Sequence, residues 1–319
     1  MRAALATHEC GRYFEPMSLA LAASLVFLVA GCSHIQPQAS AVPQLPPFEF
    51  IGQWGVSGEA PGQLANPVGP ALDEFGRVYL VNPGSGLVQK FQIDGAPLLS
   101  FDDAGARHAS SVAVDSGGGI YVLNASVGEM RIFFPEGDLL RSFRVAPERN
   151  FAGPFGFSIA TDGTVFVPDP SLGRIQALSS QGKLERIWRV PQAAAGKPSK
   201  PVVAAVGPDG FVYAGDLEAG RVVKFTREGM QVASWDDSVD PPAPLLGLAV
   251  SSSYVFVLRG ASPRVVVWTL DGRRRLSDNL EGRLDGAPQN AGSLAVSPGG
   301  ELIVLDPATP SVLRFRIHL

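Results

Sequence analysis

Residues 67–91 read PVGPALDEFGRVYLVNPGSGLVQKF. Val68 to Leu72 has the small and apolar residues of a short strand. Asp73-Glu74-Phe75-Gly76 is a polar turn, and Val78-Tyr79-Leu80-Val81 is β-branched and aromatic. Asn82 closes that run, a Gly/Ser/Pro turn follows, and Val88-Gln89-Lys90-Phe91 alternates as a third strand.

The same order of parts occurs six times. The second strands are VYLV, IYVL, VFVP, VYAG, VFVL and LIVL, closed by Asn82, Asn124, Asp169, Asp216, Arg259 and Asp306. Each first strand has a small residue at its middle: Ala71, Ala113, Ser158, Ala205, Ala249 or Ala295. A third strand follows every time, and a fourth in five units: LLSF, LLRSF, LERIW, QVASW and RRRLS. The closing residues stand roughly 42 to 47 positions apart, and four strands per unit of that length is the signature of a β-propeller. Small mid-strand residues suit a crowded axis where six strands converge. The aromatics Tyr79, Tyr121, Phe166, Tyr213 and Phe256, with Ile303 in the last unit, suit the wider gaps between blades. The last unit ends at Leu319 after three strands, and its fourth is expected from Phe48–Trp54, FEFIGQW, which would hide an open sheet edge. The expectation is an all-β, six-bladed propeller over residues 48–319, closed by an N-terminal strand.

QLANPVGPALDEFGRVYLVN (63–82) and ASSVAVDSGGGIYVLN (109–124) resemble the NHL repeat, with its Pro-x-Gly start, Ala-Val-Asp turn, Gly, and hydrophobic strand ending in Asp. PFGFSIATDGTVFVPD (154–169) loses the first Asp, and the fifth unit departs furthest, with Ser251-Ser252-Ser253 at its turn and Arg259 in place of Asp. The resemblance implies a binding platform or, less often, an enzyme. The Trp at 54, 188, 235 and 268 do not supply the Trp-Asp of a WD40 repeat.

Ahead of the repeats, Leu19 to Ala30 is apolar, LALAASLVFLVA. Spanning a bilayer takes about 20 apolar residues, so this run has the length of a signal-peptide core instead. Val29-Ala30-Gly31-Cys32 resembles a bacterial lipobox, which implies a signal peptide over 1–31 and lipidation, palmitate included, at Cys32. A start at Met17 would leave no positive n-region. Cys10 falls within the removed segment, so no disulfide is expected. Several acyl chains on one residue anchor stably. Ser33 after the cysteine, by resemblance to Gram-negative sorting, implies the outer membrane. Residues 32–47 then form a lipidated, proline-rich tether, about 45 Å long at roughly 3.1 Å per residue.

The formal charge of −4 gives no support to nucleic-acid binding. The strand-closing residues Asn82, Asn124, Asp169, Asp216, Arg259 and Asp306 are expected on one face, joined there by His108 before a first strand. Such oxygen ligands suit a hard cation or a polyhydroxylated ligand, whereas Asn and Asp also end strands by bonding nearby amides. A pair with Asp216 or Asp306 is an alternative role for Arg259. Related six-bladed enzymes hold a metal at the axis, but four His, two of them at 8 and 34, exclude a three-His zinc site. Ser110-Ser111 beside His108 lack the spacing of a Ser/His/Asp set. Arg273-Arg274-Arg275 is the one basic run and falls at an outermost strand.

The function expected from these features is a non-enzymatic binding or scaffolding lipoprotein of the bacterial envelope. It would be anchored to the membrane through Cys32 and hold an envelope protein or polysaccharide, with no nucleic acid and no obligatory cofactor. The alternative is a calcium-assisted hydrolase or lyase at the axis, with Asp169, Asp216 and Asp306 as metal ligands.

Overall fold

The hairpin quoted above forms as its sequence dictates. Gly76 takes the left-handed conformation that its turn requires (φ 77°), and the Asp73 amide donates to the Arg77 carbonyl to close it. The computed structural model describes residues 46–145, 156–193, 196, 198–236, 244–260, 264–280 and 293–319. The signal peptide, Cys32 and nearly all of the tether lie outside the described residues.

Six antiparallel four-stranded sheets make six blades. The first is β2 (Val68–Leu72), β3 (Val78–Asn82), β4 (Leu87–Phe91) and β5 (Pro97–Asp102). The second is β6 (Ser111–Val114), β7 (Ile120–Asn124), β8 (Glu129–Phe133) and β9 (Leu139–Arg144). The third is β10 (Ser158–Ile159), β11 (Val165–Asp169), β12 (Arg174–Leu178) and β13 (Leu184–Arg189). The fourth is β14 (Pro201–Val206), β15 (Val212–Asp216), β16 (Arg221–Phe225) and β17 (Gln231–Asp236). The fifth is β18 (Leu245–Val250), β19 (Tyr254–Arg259), β20 (Arg264–Thr269) and β21 (Arg274–Asn279). The sixth joins β22 (Ser293–Val296), β23 (Glu301–Asp306) and β24 (Ser311–Ile317) to β1 (Phe48–Trp54), which pairs from Phe48↔Ile317 to Trp54↔Val312. The expected closure by the N-terminal strand is therefore present.

The apolar residues divide into six clusters, one per gap between blades. Tyr79 packs with Val112, Ile120 and Val122 of the second blade, and Tyr121 with Phe157, Val165 and Val167 of the third. Phe166 meets Ala204 and Val212, Tyr213 meets Leu248 and Val257, and Phe256 meets Leu302 and Val304. Ile303 closes the ring against Val78 and Leu80. Burying each such side chain stabilises the fold by about 1.5–3 kcal/mol, so adjacent blades cannot separate cheaply.

A second contact between blades lies at the outer edge. The fourth-strand aromatic of one blade packs on the glycine in the turn between the third and fourth strands of the next. The pairs are Trp54 with Gly95, Phe101 with Gly137, Phe143 with Gly182, Trp188 with Gly229, and Trp235 with Gly272. All five glycines have positive φ, from 79° to 102°, and a Cβ on any of them would run into the ring. The six small mid-strand residues all face the axis, as the crowding there demands. Among the described residues no helix is long and apolar enough to cross a membrane.

Candidate functional site

The strand-closing residues do share one face, but their side chains are spent on holding loops. Asn82 Nδ2 donates to the Gln63 carbonyl (3.0 Å) and its Oδ1 accepts from the Ala65 amide (3.1 Å). Asn124 Nδ2 donates to the Gly105 and Arg107 carbonyls, and Oδ1 accepts from the Ser126 amide and hydroxyl. Asp216 Oδ1 accepts from the amides of Lys200 (2.9 Å) and Ala219 (3.4 Å), while Oδ2 faces Arg221 at 3.3 Å. In these three blades one side chain ties the loop entering the blade to the blade itself. Asp169 accepts from the Leu172 amide and pairs with Arg174 at 2.8 Å, and Asp306 accepts from Ala308, Thr309 and the Thr309 hydroxyl. The loops entering those two blades, 146–155 and 281–292, lie outside the described residues.

Asn82 and Asp216 are fully buried, and Asn124, Asp169, Arg259 and Asp306 nearly so. Arg259 donates to the Gly220 carbonyl (2.5 Å) and its guanidinium stands 5.9 Å from the Trp268 ring centre. Among the described residues no three of His, Cys, Asp and Glu come together as a metal site would require, so Asp169, Asp216 and Asp306 are not convergent.

His108 is exposed on the loop between β5 and β6, in the left-handed region (φ 63°), with its amide donating to the Pro83 carbonyl. Ser110 Oγ donates to the Leu123 carbonyl and Ser111 is buried. His318, the other described histidine, contacts Glu49 at 3.0 Å across the closing pair of strands. Arg273 closes the turn before β21, 3.1 Å from Asp271.

The axis itself is a channel of 260 Å³ walled by the six first strands. Its lining is Gly, Pro, Ala, Val, Leu, Ile, Phe and Ser, without one titratable side chain among the described residues. General acid–base chemistry needs such groups.

Sequence reasoning missed a set of polar pairs on the opposite face. Tyr79 and Tyr213 donate their hydroxyls to Asp73 (2.9 Å) and Asp209 (2.6 Å), the aspartates of the turns between first and second strands. Arg77 pairs with Asp73, and Lys224 with Asp209 at 2.8 Å. Burial first, then the neighbouring aspartate, raises all three tyrosines: Tyr79, Tyr213, and Tyr121, which is pushed up to about 12 beside Asp115. The signal was present as DEFGRVY, DSGGGIY and DGFVY.

No protein-family model matches the chain, and no curated protein matches its sequence. Solved structures do resemble it. A streptogramin B lyase is 12% identical with a TM-score of 0.60, over 84% of this chain and 98% of the lyase. Virginiamycin B lyase from Staphylococcus aureus, in a catalytically inactive His-to-Ala variant with quinupristin, is 13% identical at a TM-score of 0.60, over 85% and 89%. The β-propeller domain of Myceliophteria thermophila Cps50 (Swd1) is 9% identical at 0.61, over 85% of this chain and all of that one. What they share with it is the fold. The chain is a six-bladed β-propeller.

Proposed function

We propose that this protein is an NHL-type propeller lipoprotein of the bacterial envelope that binds a partner without catalysing a reaction. The observation that carries this reading is the axial channel, whose wall of apolar and small residues holds no titratable side chain among the described residues. The rim held in place by Asn82, Asn124, Asp169, Asp216, Arg259 and Asp306, with His108 at its surface, is the binding face. Those side chains position the loops, and the loops meet an envelope protein or polysaccharide. Cys32 carries the lipid that keeps the propeller at the membrane, outer-membrane sorting following from Ser33.

Function resides in loops grafted on a propeller rather than in the propeller itself.

Photoreactive side chains at the exposed positions Asn66 and Arg107, and on the opposite face at Glu74 and Glu228, test the binding face. The expected outcome is a discrete envelope adduct from the first pair alone, lost or mislocalised in Cys32→Ser, which should also take up no palmitate. Adducts from both faces alike, or palmitate uptake by Cys32→Ser, would contradict the proposal.

A further inference from the structure

The face opposite the Asn/Asp rim holds a feature that the proposed function does not use. Each first strand ends in an aliphatic residue, one per blade: Leu72, Val114, Ile159, Val206, Val250 and Val296. All six line the axial channel and all are half-buried, so they form a collar at its mouth. Four of them, Ile159, Val206, Val250 and Val296, are also the floor of a bowl of 690 Å³ that opens outward from the collar. Tyr254, Phe256 and Ile317 extend this apolar floor. The rim is hydroxylic, with Ser252 and Ser253 exposed on the turn between β18 and β19.

Charge narrows the choice of ligand. Among the described residues Arg227 is the one charged side chain in the lining, and its guanidinium is already paired with the Asp162 carboxylate at 2.5 Å. A charged group on this apolar floor would lose water that the lining does not replace, whereas a neutral polar group would find hydroxyls at the rim. The collar encloses a narrow channel, and the bowl has the size of a small-molecule site, roughly 300–1,000 Å³. An extended alkyl chain lying on the apolar floor with its end in the collar suits that shape.

We propose that this funnel binds a single-chain aliphatic amphiphile with an uncharged polar head. The alkyl end enters the collar and the head stays at the serine rim. The site is independent of the binding face proposed above, since it lies at the other end of the axis.

The test uses the full chain with the neutral fluorescent probe N-phenyl-1-naphthylamine. Saturable binding of about one probe per chain is expected, displaced by 1-lauroylglycerol below its aggregation concentration. Dodecyltrimethylammonium, with the same chain and a charged head, should displace it at least about tenfold less well. Val250→Asp places a charge in the collar, and Ser253→Trp fills the bowl from an exposed turn that tolerates a larger side chain. Each should weaken the probe about tenfold or more while the melting temperature of Ser253→Trp stays near that of the parent. Unchanged affinity in a folded Ser253→Trp variant would overturn the proposal. So would equal displacement by the two competitors, or the lack of a saturable site in the parent.

Discussion

The indole of Trp54, the last residue of β1, lies against Gly95 of the neighbouring blade, where a Cβ would come within 2.5 Å of the ring. Its Nε1 also donates to the Ile93 carbonyl at 3.0 Å. The strand that closes the propeller is thus clasped by the first blade as well as paired to the last. Trp54→Ala should cost about 2–4 kcal/mol, and Gly95→Ala about 1–3 kcal/mol from the left-handed backbone and the clash. In the double variant the ring no longer opposes the new methyl, so the two losses should fall short of additive. Denaturant midpoints of the four proteins in the cycle measure this.

Alkaline pH should weaken the fold through its tyrosines. Tyr79, Tyr121 and Tyr213 have folded pKa values above the ordinary value near 10. The folded state therefore keeps protons that the unfolded chain releases, so the contribution is complete below about pH 10 and declines above it. Tyr79→Phe with Tyr213→Phe should flatten that decline, read as melting temperature between pH 9 and 12.

Acid acts through Asp209. Burial alone would raise its pKa, but hydrogen bonds from Lys224 and Tyr213 hold it below the usual carboxylate value. Its contribution is present above the unfolded value of about 3.9 and is lost as pH falls through the lower folded value. Asp209→Asn should shallow the acid limb of the stability profile. Asp209→Ala should cost about 2–3 kcal/mol at neutral pH, because Lys224 is then left largely buried without its carboxylate.

The strand-closing residues act as staples. Asp216→Ala removes the acceptor for Lys200, Ala219 and Arg221 together and should cost about 2–4 kcal/mol. Asn124→Ala should cost about 1–2 kcal/mol and increase amide exchange at Gly105 to Arg107, whose carbonyls it holds.

Much of this architecture was legible in the chain because propeller blades are local. Ala71 and its five counterparts and the aromatic second strands are each visible within one repeat, and FEFIGQW stands out as the fourth strand that the last repeat lacks. Which way Asn82 or Asp216 points was not legible, since Ala65 and Lys200 reach them through loop geometry rather than through spacing. The serine turn at 251–253 reads as the most degraded repeat. Its place beside the mouth of the axis appears only when turns from four blades are brought together. The Trp-to-Gly contacts pair residues of consecutive repeats, and a comparison of repeats two at a time would have found them.

The most direct test of a binding platform over a metal-dependent enzyme is the melting temperature of the full chain with calcium and with chelator, alongside its metal content. A bound metal stabilises in proportion to its affinity. A platform without an axial site predicts no stoichiometric metal and the same melting temperature in both conditions. One equivalent of calcium, with a melting temperature that falls on chelation, would contradict it.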